Sequence, residues 1–166
     1  MFFSNPKHPA NLAHPFVHAA IMGDVATLLR TQHLYPDTIR HYAFIQAILN
    51  NQLPAIQQLK TPALYNIALT QAALRGYLKV VEYLILQVEN TEPLETALIV
   101  ATINQHTDTV YLLQAHYGVE RSRPLLQQAQ QYPTVEAYFE AQRRSAPISK
   151  ACHSPSFIVR GKAICP

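Results

Sequence analysis

Ile67-Ala68-Leu69-Thr70-Gln71-Ala72-Ala73-Leu74-Arg75-Gly76-Tyr77-Leu78-Lys79-Val80-Val81-Glu82-Tyr83-Leu84 decides the fold of this 166-residue chain. Its apolar residues recur at the three-to-four spacing of a helix, stop at a glycine, and resume two residues later as a second amphipathic helix. Paired alanines sit where the first helix would meet a neighbour. Glycine follows them because it alone takes the left-handed backbone without steric cost.

The order recurs on both sides. His14-Pro15-Phe16-Val17-His18-Ala19-Ala20-Ile21-Met22-Gly23-Asp24-Val25 repeats it, as do Thr96–Gln105 and Thr109-Val110-Tyr111-Leu112-Leu113. Weaker copies begin at Tyr42-Ala43-Phe44-Ile45-Gln46-Ala47 and at Arg123-Pro124-Leu125. Aligned on the small residue, Ala19, Ala47, Ala72 and Ala101 lie 28, 25 and 29 residues apart. Repetition at such a period signals stacked units. Gly23, Gly76 and, at modest cost, Asn51 suit the left-handed stop; Gln105 suits it least. Asp37, Thr61, Thr107 and Ser122 read as N-caps, with proline at the first helical position after Thr61. Helices are expected near 14–22, 25–33, 38–50, 53–60, 62–75, 79–88, 93–104, 108–117, 124–131 and 134–143. No stretch alternates long enough to demand a strand.

The pattern Pro-Leu…Ala-Ala-x-x-Gly-x-Leu-x-Val-Val-x-x-Leu resembles the ankyrin repeat over roughly 14–142, most closely at 67–84. The resemblance implies an all-α solenoid of about five helix–turn–helix units. The units fall short of the family's period of about 33 residues and lack its Gly-Ala-Asp-type connection, so β-turn fingers are expected to be reduced or absent. An irregular helical bundle is the alternative fold.

Bulk composition agrees with a folded helical domain. The chain is 49% hydrophobic and 14% charged, with 4 Gly and no Trp, enough to build a core at this length. The start has no basic n-region followed by an apolar run, and no window approaches a membrane span of about 20 residues. Cys152 and Cys165 both fall near the end, so no disulfide framework is expected and the cytoplasm is the expected location. Three regions follow: an arm over 1–13, the repeat domain over 14–142, and a basic tail over 143–166. Arg143, Arg144, Lys150, Arg160 and Lys162 occur in that tail without an acid.

No phosphate loop, CxxC pair, HExxH helix or GxSxG elbow is present. His14 and His18 share i,i+4 spacing but have no carboxylate or thiol nearby to complete a metal site. Cys152-His153 lies in a Pro/Ser-rich stretch and adjacent residues rarely align thiolate and imidazole. Glu89, Glu92 and Glu95 cluster where a helix start explains acids. The chain is therefore expected to be non-catalytic, with no cofactor, metal or small-molecule substrate.

In ankyrin-like stacks the two positions after the alanines face the concave groove. Here they are Ile21-Met22, Leu49-Asn50, Leu74-Arg75 and Ile103-Asn104. Either both residues of each pair line the groove, or the Ile and Leu pack between units and only Met22, Asn50, Arg75 and Asn104 are exposed. Tyr65, Tyr77 and Tyr111 are candidate anchors, of the kind aromatic residues supply at interfaces, or core. The expected function is protein–protein interaction by a monomer through this face. The resemblance extends to host-directed effectors of intracellular bacteria, which would place the partner in a host cytosol. The alternative is a binder of nucleic acid or anionic membrane through the tail.

Overall fold

The computed structural model of the chain describes residues 14–145. The described residues form ten α-helices and no strand: α1 Pro15–Met22, α2 Val25–Thr31, α3 Asp37–Leu49, α4 Leu53–Leu59, α5 Tyr65–Arg75, α6 Leu78–Ile85, α7 Thr91–Ile103, α8 Thr107–Tyr117, α9 Val119–Ala129 and α10 Val135–Ser145. Single 3-10 turns at Gln32–Leu34 and Pro62–Leu64 lead into α3 and α5. The described residues are thus all-helical, as their periodicity predicts. The arm, and the tail beyond Ser145 with Cys152, His153 and Cys165, lie outside the described residues.

Four hairpins are built on one bend. At the ends of α1, α3, α5 and α7 the backbone N–H of Asp24, Gln52, Tyr77 and His106 donates to the carbonyl of Ala19, Ala47, Ala72 and Ala101, at 2.8, 2.8, 3.0 and 2.9 Å. The residue before each donor is left-handed: Gly23 at φ 74°, Asn51 at 57°, Gly76 at 68° and Gln105 at 60°. This is the Schellman arrangement, in which a left-handed residue lets two N–H groups turn back onto carbonyls the helix end would leave unpaired. The residue that follows starts the next helix with ψ between 73° and 85° in all four. Gln105 therefore adopts the conformation its residue type suits least, because the packing on either side of it demands the turn.

The alanines explain how the hairpins come together. Ala20, Ala43, Ala47, Ala68, Ala72, Ala73, Ala97 and Ala101 are all fully buried. A side chain of one carbon lets helix backbones approach closely, and α1, α3, α5, α7 and α9 pack successively in one layer, α5 against α7 most extensively. The partner helices pack on the other side, α2 against α4 and α6 against α8. Phe16, Leu28, Phe44, Ile48, Ile56, Leu69, Leu84, Leu98 and Leu113 fill the space between the layers. In α7 the run Leu94, Ala97, Leu98, Ile99, Val100 and Ala101 is buried on nearly every side, as befits a helix with neighbours all round.

Several expected helix starts are corrected. Ser122 is no cap: α9 begins at Val119, and the Ser122 hydroxyl, buried inside it, donates to the Val119 carbonyl at 2.7 Å and accepts from Gln114 at 3.1 Å. Pro124 consequently lies within α9 rather than opening it. Asp37 and Thr107 are the first residues of their helices, and Asp37 pairs with Arg40 instead of capping. The Thr61 hydroxyl donates back to Leu59 at 3.4 Å. In α2 it is Asp24 that caps, accepting from the Thr27 amide at 3.1 Å and the Thr27 hydroxyl at 2.6 Å; these bonds hold its carboxyl below the usual range. Helix starts were set by packing, and the short polar residues followed.

The hairpins join through Gln32–Pro36, Lys60–Leu64, Leu86–Asn90 and Gly118. These links are too short to project as fingers, in line with expectation.

Two substitutions probe this architecture. Ala72→Leu forces three extra carbons into the α5–α7 contact and is expected to cost about 1–3 kcal/mol in urea unfolding; an unchanged midpoint contradicts close packing there. Gln105→Gly relieves a left-handed non-glycine residue and is expected to raise stability by roughly 1 kcal/mol. Equal or lower stability contradicts the turn.

Candidate interaction face

The positions one residue before each left-handed turn form an exposed row: Met22, Asn50, Arg75 and Asn104, with Met22 64% exposed. Their partners Ile21, Leu49, Leu74 and Ile103 are half-buried. Full exposure is thus confined to the second residue of each pair. Ile21 packs against the main core and Ile103 against a second cluster.

Three of the four side chains in that row also work within the fold. Asn50 donates to the Gln46 carbonyl at 2.8 Å, closing the end of its own helix. Asn104 donates at 2.7 Å to the Leu74 carbonyl of the preceding unit. Arg75 donates to the Gln71 side chain at 2.7 Å, which holds the guanidinium along α5 while it stays exposed. Gln71 and the exposed Ile67 extend this surface along α5.

A second row, one residue after each turn, was not singled out by the sequence reading apart from Tyr77. The Tyr77 hydroxyl donates to the Leu49 carbonyl at 3.2 Å. One unit on, His106 Nε2 lies 3.0 Å from the Leu74 carbonyl, and since a carbonyl only accepts, Nε2 carries the proton. The Schellman bonds leave the Leu49 and Leu74 carbonyls unpaired within their own helices. The third and fourth bends thus tie off the ends of α3 and α5. Gly76 suits the place doubly, because a Cβ there would sit 2.7 Å from His106 Nδ1; at Gly23 one would meet Gln52 Oε1 at 2.5 Å. The common spacing of Gln52, Tyr77 and His106 from their alanines is the signal that would have found this row.

The aromatic candidates separate. Tyr65 is buried, its ring 6.0 Å from that of Phe44, and belongs to the core rather than to a partner surface. Tyr77 is half-buried and structural in its hydroxyl. Tyr111 is 67% exposed but lies on α8, in the outer layer.

At the far end the inner face is covered. Tyr138 of α10 is buried against Ile99 of α7 and Ala129 of α9, with Ile103, Leu125, Tyr132 and Phe139 around them, in a cluster separate from the main core. Tyr138 also lies within hydrogen-bonding reach of Thr96 and Gln142; burial, then Tyr132, raises its phenol pKa.

Among the described residues no group of three His, Cys, Asp or Glu could hold a metal ion. His14 stacks edge-on against Tyr35 with ring centroids 4.6 Å apart, while His18 is exposed. An open depression lined by Gly76, Gln105, His106, Thr107, Asp108 and Thr109 contains one imidazole, already held by Leu74. Among the described residues no helix is long and apolar enough to cross a membrane. No protein-family model, curated protein or solved structure matches the chain.

Burial of Tyr65, and after it the neighbouring Tyr83, push the Tyr65 phenol from 10.0 up to about 12. The unfolded chain therefore gives up this proton at lower pH than the folded one, and stability falls as pH rises through that interval. Urea midpoints measured from pH 9 to 12 should decline less steeply for Tyr65→Phe than for the wild type. Parallel slopes contradict the burial of the hydroxyl.

Proposed function

We propose that this chain is a non-catalytic protein-interaction module, a short ankyrin-like stack that holds a protein partner along its inner face. The recurrence of one bend at Ala19, Ala47, Ala72 and Ala101 supports the repeat reading. The exposed row of Met22, Asn50, Arg75 and Asn104, presented at one register by four helices, carries the functional one. An apolar residue, two amides and a guanidinium beside half-buried aliphatic side chains have the mixed character of a protein interface. Tyr77 and His106 tie the ends of α3 and α5 to the bends that follow, so the centre of the face is preformed and little ordering cost falls on association there. On this reading the chain acts as a monomer, without cofactor or small-molecule substrate, in the cytosol.

Affinity capture with quantitative mass spectrometry tests it, comparing wild type with Met22→Ala plus Arg75→Glu. Charge reversal at the centre of the row is expected to weaken partner retention about tenfold, equivalent to ~1.4 kcal/mol. Equal capture by both proteins rejects the inner face. Loss of capture only when residues 143–166 are removed, with steep salt dependence, instead favours a tail that binds nucleic acid or anionic membrane.

A further inference from the structure

Ten helices should alternate between two layers, yet the last does not. α10 packs extensively on no other helix, neither α8 in the outer layer nor α7 and α9. Its buried Tyr138 instead meets Ile99. With 3.6 residues per turn, Ile99 and Ile103 form a stripe on the opposite side of α7 from Ala97, Leu98 and Ala101, which belong to the main core. α10 therefore lies across the inner side of α7 and α9, the side that stays uncovered on α5. The bend before it explains the departure. No left-handed residue follows α9, and Pro133, four residues after Ala129 where the other bends are left-handed, has its φ fixed at a negative value. Thr134 caps α10 separately, its hydroxyl accepting from the Ala137 amide at 3.2 Å.

The attachment of α10 is narrow. Val135 and Tyr138 are its buried side chains, with Phe139 half-buried beside them. The Arg143 and Ser145 hydrogen bonds and the Arg144–Glu140 ion pair run along the helix itself. The surface it covers continues beyond it: in the register of Thr96, Ile99 and Ile103, α5 carries Ile67, Thr70 and Leu74, the first of them 42% exposed.

We propose that the inner side of α7 and α9 is a helix-binding site that α10 fills in cis. Its external ligand is an amphipathic helix with two adjacent aromatic residues, which enters by displacing α10. α10 is itself such a helix, pairing Tyr138 with Phe139, and so defines the chemistry the site accepts. A bound helix gains in addition the adjoining face of α5. The proposal rests on the interaction-module reading but uses different residues. Failure of the Met22/Arg75 test leaves it standing, and its own failure leaves the exposed row untouched.

A fluorescein-labelled peptide of residues 134–145 is titrated against the full chain by fluorescence anisotropy. Tyr138→Ala plus Phe139→Ala loosens the cis helix, and the peptide is expected to bind that variant about tenfold more tightly than wild type. Adding Ile103→Glu should remove the gain. Equal affinity for wild type and the double variant, or a gain that survives Ile103→Glu, overturns the proposal. Hydrogen exchange on the unaltered protein decides independently of how the variants fold. Amides of α10 should exchange roughly a hundredfold faster than those of α5 and α7, as expected of a unit that opens by itself. Exchange of α10 as slow as that of α5 and α7 makes it an integral part of the fold and also overturns the proposal.

Discussion

Close approach of helix backbones across alanine is the constraint from which the rest of this structure follows. Ala72 of α5 and Ala101 of α7 have no exposed surface, their helices pack extensively on one another, and the same residue type recurs in α1 and α3. Because the helices lie so near one another, the end of one comes within reach of the bend of the next. A tyrosine or histidine side chain can then satisfy a carbonyl that its own helix leaves open. Packing distance and hydrogen bonding are thus coupled: a bulkier residue in the seam would also pull Tyr77 from Leu49 or His106 from Leu74.

That coupling accounts for the tolerance of poor residues at the turns. Asn51 and Gln105 occupy left-handed backbone that glycine takes more easily, yet their bends match those of Gly23 and Gly76 to within a few tenths of an ångström in the closing hydrogen bond. The local penalty is smaller than the loss of a close-packed seam, so the tertiary arrangement dictates the dihedral angle. Rigid bends in turn fix where the preceding side chains point, which is why Met22, Asn50, Arg75 and Asn104 share one register.

The fifth unit shows what happens when the bend is withheld. With φ negative at Gln130 and fixed so at Pro133, no left-handed residue is present to allow the 6→1 bond, and the chain turns its last helix to the inner side. There the Tyr138–Ile99–Ala129 cluster covers apolar surface that the end of a stack would otherwise expose.

The helical hairpins were legible in the residues themselves, because apolar spacing, glycine stops and recurring alanines express local geometry. Nine of the ten helices lie where that spacing places them, give or take a few residues at their ends. α9 does not, since Pro124 reads as a helix start until Ser122, bonded to Val119 and Gln114, shows the helix already under way. Met22, Asn50, Arg75 and Asn104 were named from the sequence, and their full exposure beside half-buried Ile21, Leu49, Leu74 and Ile103 became visible only in the structure. Tyr65, an anchor candidate by type, proved to be core because Phe44 packs beside it. The ties from Tyr77 and His106 to carbonyls about thirty residues away, and the seat of α10 on α7, could not be read in advance. They depend on the distance between elements remote in the chain, which no local pattern encodes and which exists only once the alanine seams have closed.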